Sequence, residues 1–181
     1  MKNMLFIMNP KAGRTTLKNS LVDVLEVFCN NDYAVRTYLT KSADDAERIV
    51  QEEGANYDVI VCAGGDGTLA NTVTGYMKSG IKVPLGYIPC GSTNDFARSM
   101  DIPRETVEAA EMIVKAEPFS IDIGSLNDKN FVYVAAFGMF SDTSYATPQN
   151  MKNIFGHVAY VLQGIKSLAN VPSYKMKVTI D

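Results

Sequence analysis

Val59-Ile-Val-Cys-Ala-Gly-Gly-Asp-Gly-Thr-Leu69 decides how this 181-residue chain is read. Residues 59–63 are short, apolar and rich in β-branched side chains, as in a strand buried on both faces. Three glycines within the four residues 64–67 follow, and they leave little side chain to hold a ligand off the backbone. Leu69, Val73 and Tyr76 or Met77 then recur at helical spacing. The stretch predicts a strand, a bare turn and a helix, with Asp66 as the carboxylate at the turn. A helix start reached through glycines presents unpaired N–H groups and the positive end of the helix dipole, which favours phosphate. A carboxylate there repels phosphate unless a cation or hydrogen-bond donors intervene, so Asp66 points to Mg²⁺ or to a nucleotide hydroxyl. An ordinary β–α turn needs one glycine or two, so three around an acid favour a ligand.

The rest of the chain repeats that alternation. Strands are expected over 4–8, 33–39 and 84–88, and helices over 16–30, 43–53, a short stretch ending near Met100, and 103–116. Ser42 is the expected cap of the second helix, Gly54 its stop, and Pro103 the opening of the last. This order predicts an α/β, doubly wound, mostly parallel sheet. Two more polar corners fall at carboxyl ends of strands, where such sheets take their ligands. They are Asn9-Pro-Lys-Ala-Gly-Arg14 after the first strand and Gly91-Ser-Thr-Asn-Asp95 after the fourth. Capping explains one hydroxyl of the latter and leaves Asn94 and Asp95 over. No Gly-Lys pair occurs in the chain, so no Walker loop is present, and the glycines do not fit a dinucleotide fingerprint.

From about residue 119 the pattern changes. Residues 119–126 and 131–137 read as a hairpin around 127–130. Residues 151–169 form an apolar helical stripe, a core face or the lining of an acyl site, and 174–180 alternate as a strand. Asp122 sits between two isoleucines and faces either water or a metal. His157, the single histidine, reads as a helix-surface or packing residue and not as a catalytic base. The plan is an α/β domain over 1–118 and the beginning of a β-rich domain over 119–181, cut short.

With 46% hydrophobic residues the chain can bury one good core. A net charge of −3 without any basic run argues against nucleic acid. Cys29, Cys62 and Cys90 show no metal or redox spacing, which suits a reduced, cytoplasmic protein. Residues 4–8 are too short for a signal sequence and no apolar window reaches a membrane span, so any membrane contact is expected to be peripheral.

Gly64-Gly-Asp-Gly-Thr68 taken with Pro89-Cys-Gly-Ser-Thr-Asn-Asp-Phe-Ala-Arg98 and Asn9-Pro-Lys-Ala-Gly13 resembles the diacylglycerol kinase catalytic-domain family, in particular its bacterial soluble lipid kinases. The first element is shared with NAD kinases and phosphofructokinase relatives, and the Asn-Asp-Phe corner narrows the match. Asp122-Ile-Gly124 and the stretch from Ala136 through Ser144-Tyr-Ala-Thr-Pro148 extend the likeness over essentially the whole chain. The resemblance implies a phosphofructokinase- or NAD-kinase-like first domain and transfer of the γ-phosphate of ATP to a lipid hydroxyl with Mg²⁺. It places Asn9, Pro10, Lys11, Ala12, Gly13 and Thr40 against ATP. It adds Gly64, Gly65, Asp66, Gly67, Thr68, Leu69, Ala70 and Asn71 from the second corner, and Gly91, Ser92, Thr93 and Asn94 from the third. Asp66 and Asp95 become the acidic catalytic network and Asp122 a member of a Mg²⁺–water network. Ala70-Asn71 departs from the Asn-Glu pair common in the family. The resemblance also puts the catalytic base beyond residue 181, so residues 1–181 are expected to turn over poorly. An NAD-kinase-like enzyme and a non-catalytic nucleotide-binding module are the competing expectations. The acceptor lipid and the oligomeric state are not fixed by the sequence, which is compatible with a homodimer.

Overall fold

The five residues Met4–Met8 are buried one after another, and this continuous burial sets the architecture. In the computed structural model, which describes residues 1–12, 16–127, 129–135, 177 and 179, they lie in strand β1 (Lys2–Met8). The chain continues through α1 (Thr16–Asn30), β2 (Tyr33–Leu39), α2 (Asp45–Glu53), β3 (Val59–Gly64) and α3 (Asp66–Ser79). It then forms β4 (Leu85–Pro89), α4 (Asp95–Ser99), α5 (Thr106–Lys115), β5 (Gly124–Leu126) and β6 (Lys129–Phe131). The first four strands make one parallel sheet in the order β2-β1-β3-β4. The expected α/β, parallel, doubly wound fold is therefore the one observed.

Alternation along β1 shows why both faces are covered. Met4, Phe6 and Met8 pack with Leu17, Val24 and Phe28 of α1 and Ala109 and Ala110 of α5. Leu5 and Ile7 point the other way, to Ala46, Ile49 and Val50 of α2. β3 behaves likewise, with Val61 and Ala63 on the first face and Cys62 packed with Leu69 and Val73 of α3. Parallel strands covered on both faces lose the polar alternation of a half-exposed sheet. Phe6, fully buried and edge-on to Phe28 at 5.7 Å between ring centroids, anchors this core. Truncating it to alanine should cost about 3–5 kcal/mol.

Three local expectations are corrected. Ser42 does not cap α2: Asp44 holds the cap position without a side-chain bond, and the helix begins at Asp45. The Asp45 carboxylate instead reaches back to the N–H groups of Lys41 and Ser42, at 2.6 and 3.1 Å. An ionised acceptor binds backbone N–H groups strongly, so this turn is closed by the Asp45 side chain and not by the Ser42 hydroxyl. The last helix starts at Thr106 and not at Pro103. The chain leaves α4 through Asp101 at φ +52°, with the Ile102 N–H on the Ala97 carbonyl, and stays extended at Glu105. Finally, the hairpin is shorter than predicted. β5 and β6 pair over three residues, Gly124 with Phe131 through Leu126 with Lys129. Residues 119–123 are not a strand, and Phe119 and Ile121 are exposed, because no neighbouring strand completes their ladder among the described residues.

The chain separates into two compact units, Met1–Val134 and Ala135–Asp181. The expected helix over 151–169 with His157, the Ser144–Pro148 match and, apart from 177 and 179, the strand over 174–180 lie outside the described residues. Among the described residues no helix is long and apolar enough to cross a membrane.

Candidate functional site

Strand order places the site. Successive units run outward to opposite sides from β1 and β3, and a crevice opens at the carboxyl ends of strands where the order reverses. The corner after β1 and the glycine turn after β3 flank that point, and the corner after β4 adjoins it. Thr40, buried just past β2, donates its N–H to the Met8 carbonyl at 2.9 Å. All four predicted segments thus share one edge of the sheet.

Asn9 fastens the first corner at both ends of its amide. Its Oδ1 accepts the Lys11 N–H at 2.9 Å, which folds the loop. Its Nδ2 donates to Thr68 Oγ1 at 3.0 Å, which ties the loop to α3. The Lys11 side chain stays exposed and has no ion-pair partner among the described residues. Gly13 lies outside the described residues.

In the glycine turn, Gly65 stands at the cap of α3 and its carbonyl accepts the N–H groups of Thr68 and Leu69. The turn meets the β4–α4 corner backbone to backbone. A Cβ on Gly91 would lie 2.6 Å from the Gly65 Cα and 2.6 Å from Asn94 Oδ1. One on Gly64 would lie 2.6 Å from the Thr68 side chain. Gly67 is different, because a Cβ there would meet nothing within 4 Å. Packing requires glycine at 64 and 91 and does not require it at 67.

Asp66 opens α3, and among the described residues its carboxylate accepts only long contacts, from Thr93 Oγ1 and from the Phe96 N–H, both at 3.4 Å. Bonds of that length are weak, and they leave lone pairs available to a ligand. Asp95 opens α4 with no hydrogen-bond partner among the described residues. Asn94 is buried at φ +52°, with its amide bonded to the Gly91 N–H at 2.8 Å and the Gly91 carbonyl at 2.9 Å. It shapes the corner and does not cap the helix. Leu69 is buried against Cys62 and Val73, so only its backbone can face a ligand. Asn71 donates to the Ala43 carbonyl at 2.7 Å, linking α3 to the loop after Thr40. Ser92 is exposed.

Burial pushes the Cys62 and Cys90 thiols up to about 12, so neither is a thiolate nucleophile or metal ligand near neutrality. Among the described residues no three His, Cys, Asp or Glu side chains cluster closely enough to hold a metal. Asp122 is exposed in the irregular segment before β5. The site therefore suits a cation that takes one or two carboxylates and completes its shell with phosphate oxygens and water, which is the habit of Mg²⁺. Asp66 and Asp95 are the carboxylates of these corners that keep lone pairs open.

Two features were missed in the sequence. Tyr87, inside an apolar strand run, sends its hydroxyl to the Gly64 carbonyl at 3.1 Å. An aromatic with a polar tip two residues before a polar corner was the available signal. A cleft of about 300 Å³ beside α4, lined by Asn94, Ala97, Arg98, Asp101, Ile102 and Arg104, left none.

Fold and corners together define a doubly wound α/β protein with an anion-compatible, acid-bearing crevice at its switch point. The sequence model described as the diacylglycerol kinase catalytic domain matches residues 3–126. A diacylglycerol kinase of Bacillus subtilis (strain 168) is 35% identical over 183 positions, covering 100% of this chain and 60% of that protein. One of Staphylococcus aureus (strain JH9) is 34% identical over 184 positions, covering 99% of this chain and 58% of that protein. A crystal structure of a diacylglycerol kinase from Bacillus anthracis str. Sterne superposes with a TM-score of 0.67 at 31% identity, over 72% of this chain and 45% of that one. This chain belongs to the diacylglycerol kinase catalytic domain family. It spans about three-fifths of the length of the curated relatives it matches.

Proposed function

We propose that this chain carries the nucleotide site of an ATP- and Mg²⁺-dependent lipid kinase that phosphorylates the hydroxyl of diacylglycerol or a related lipid. The observation that carries the reading is the meeting of three polar corners at the switch point, with Asp66 left open between them. Residues 1–118 form the ATP-binding domain in this reading, and a β-rich second domain begins at 119. The protein works in the cytoplasm and meets its lipid at the membrane surface.

The chemistry follows from what each group can do. The first N–H groups of α3, bared by Gly65 and Gly67, hold phosphate oxygens. Asn9 and Thr68 keep the first corner against that helix, so Lys11 approaches the same phosphates from the opposite wall. Asp66 and Asp95 would hold the cation, and Asp122 would contribute through water. Mg²⁺, when bound, neutralises charge on the transferring phosphoryl group. Asn94, Ser92 and Thr93 complete the wall after β4, and Ala70 and Asn71 continue α3 beside the nucleotide.

The test supplies γ-labelled ATP and Mg²⁺ with either dispersed diacylglycerol or NAD. Label entering diacylglycerol in preference to NAD supports the reading. Label entering NAD alone overturns it in favour of a soluble-nucleotide kinase, and ATP binding without transfer to either, even in a chain lengthened to the full span of its curated relatives, favours a non-catalytic module.

A further inference from the structure

Tyr87 stands in β4 with its ring buried against Cys62, Leu69 and Ala97, and the Phe96 ring lies 6.2 Å away. Its hydroxyl leaves this apolar shell where two corners meet. It donates to the Gly64 carbonyl at 3.1 Å and lies 3.5 Å from Asn94 Oδ1. Neither acceptor is held by Tyr87 alone. The Gly64 carbonyl also takes the Cys90 N–H at 2.7 Å, and Asn94 Oδ1 takes the Gly91 N–H at 2.8 Å. The hydroxyl therefore sits in a small knot that joins the end of β3 to the loop before α4. A phenylalanine ring would supply the same apolar contacts at this position. A buried hydroxyl is costly unless it is hydrogen-bonded, so the oxygen calls for a role beyond packing.

We propose that Tyr87 is a positioning residue for the nucleotide: its hydroxyl fixes the spacing between the 64–68 turn and the 91–94 turn, and with it the placement of Asp66. The inference rests on the nucleotide reading above. Burial, with the charge of Asp66 adding to it, keeps the phenol protonated, so it remains a donor across the working pH range. Asp66 depends on this spacing because both of its contacts, Thr93 and Phe96, come from the far side of the junction.

The test compares two tyrosines that make the same kind of bond. Tyr76 donates its hydroxyl to the Val83 carbonyl at 2.8 Å, near the C-terminal end of α3 and away from the corners. Tyr87→Phe and Tyr76→Phe each remove one hydroxyl and keep the ring. The affinity for ATP with Mg²⁺ is measured by calorimetry, and the thermal midpoint is taken without nucleotide. We expect both variants to lower the midpoint, and only Tyr87→Phe to weaken ATP binding, by about five- to tenfold, the range of a single hydrogen bond. Amide hydrogen exchange at Cys90 and Gly91 should quicken in Tyr87→Phe, with β1 unchanged. Wild-type binding that Tyr87→Phe leaves intact, or that both variants weaken equally, overturns the inference alone. Wild-type protein that binds no ATP overturns the nucleotide reading and the inference with it.

Discussion

Asp45 and Asp66 occupy the same place in successive β–α units, each the first residue of the helix that follows its strand. Their surroundings differ. Asp45 is saturated by its own turn, taking the N–H groups of Lys41 and Ser42, and Arg48 of the same helix stands 3.4 Å away. Those backbone donors hold its carboxyl down at about 2, against an ordinary value of 3.8. Asp66 has no such turn around it. Glycines flank it, and its two contacts are long and come from another unit. The same address in a β–α unit carries a carboxylate bonded by its own turn in one case and one left largely open in the other. Three glycines, and not the aspartate itself, make that difference.

The largest effect that can break this comparison is the loss of charge at each aspartate. Asp66→Asn should reduce Mg²⁺-dependent ATP binding and transfer by on the order of 10²-fold or more while leaving the thermal midpoint nearly unchanged. Asp45→Asn should do the reverse, lowering the midpoint at neutral pH and leaving ATP affinity as it was. If the two variants exchange these phenotypes, the contrast fails.

The glycines sharpen the contrast next. Gly91→Ala forces a Cβ to 2.6 Å from the Gly65 Cα, so stability should fall by roughly 1–3 kcal/mol and ATP binding should weaken with it. Gly67→Ala meets nothing within 4 Å and replaces a glycine inside a helix, so stability should hold or rise by about 0.5–1 kcal/mol. Its ATP affinity should nonetheless fall. Denaturant melts beside binding curves separate the two cases.

A smaller effect is the pH dependence of Asp45. Its folded-state value is depressed, so its contribution is present above about 3.8 and is lost as pH falls towards about 2. The midpoint gap between wild type and Asp45→Asn should close over that window. The smallest concerns the thiols. Cys29 is exposed and Cys62 and Cys90 are buried, so a disulfide-exchange dye should label one cysteine in the native protein and three in denaturant.

Much of this was legible because burial on both faces writes β1 and β3 as unbroken apolar runs, and because glycines mark the corners. The resemblance then linked three segments that lie tens of residues apart. What escaped the sequence is contact across the chain. Tyr87 reaches Gly64 over 23 positions, and neither residue announces the other. Ser42 looked like a cap because hydroxyls usually serve there, and the turn is closed instead by a carboxylate three residues on, which takes the Ser42 N–H. The hairpin was overextended because alternation at Phe119, Ile121 and Ile123 requires a neighbouring strand that the pattern alone cannot supply. Gly67 read like its fellow glycines until the structure showed open space beside it.

The central claim, that the crevice after β1, β3 and β4 is an ATP site organised by Asp66, is tested most directly by following backbone amide resonances during a titration with ATP in the presence of Mg²⁺. The account predicts saturable shifts concentrated at residues 9–12, 64–71 and 91–95, and their disappearance in Asp66→Asn. Shifts centred instead on the cleft at Arg98 and Arg104, or no saturable shifts at all, would contradict it.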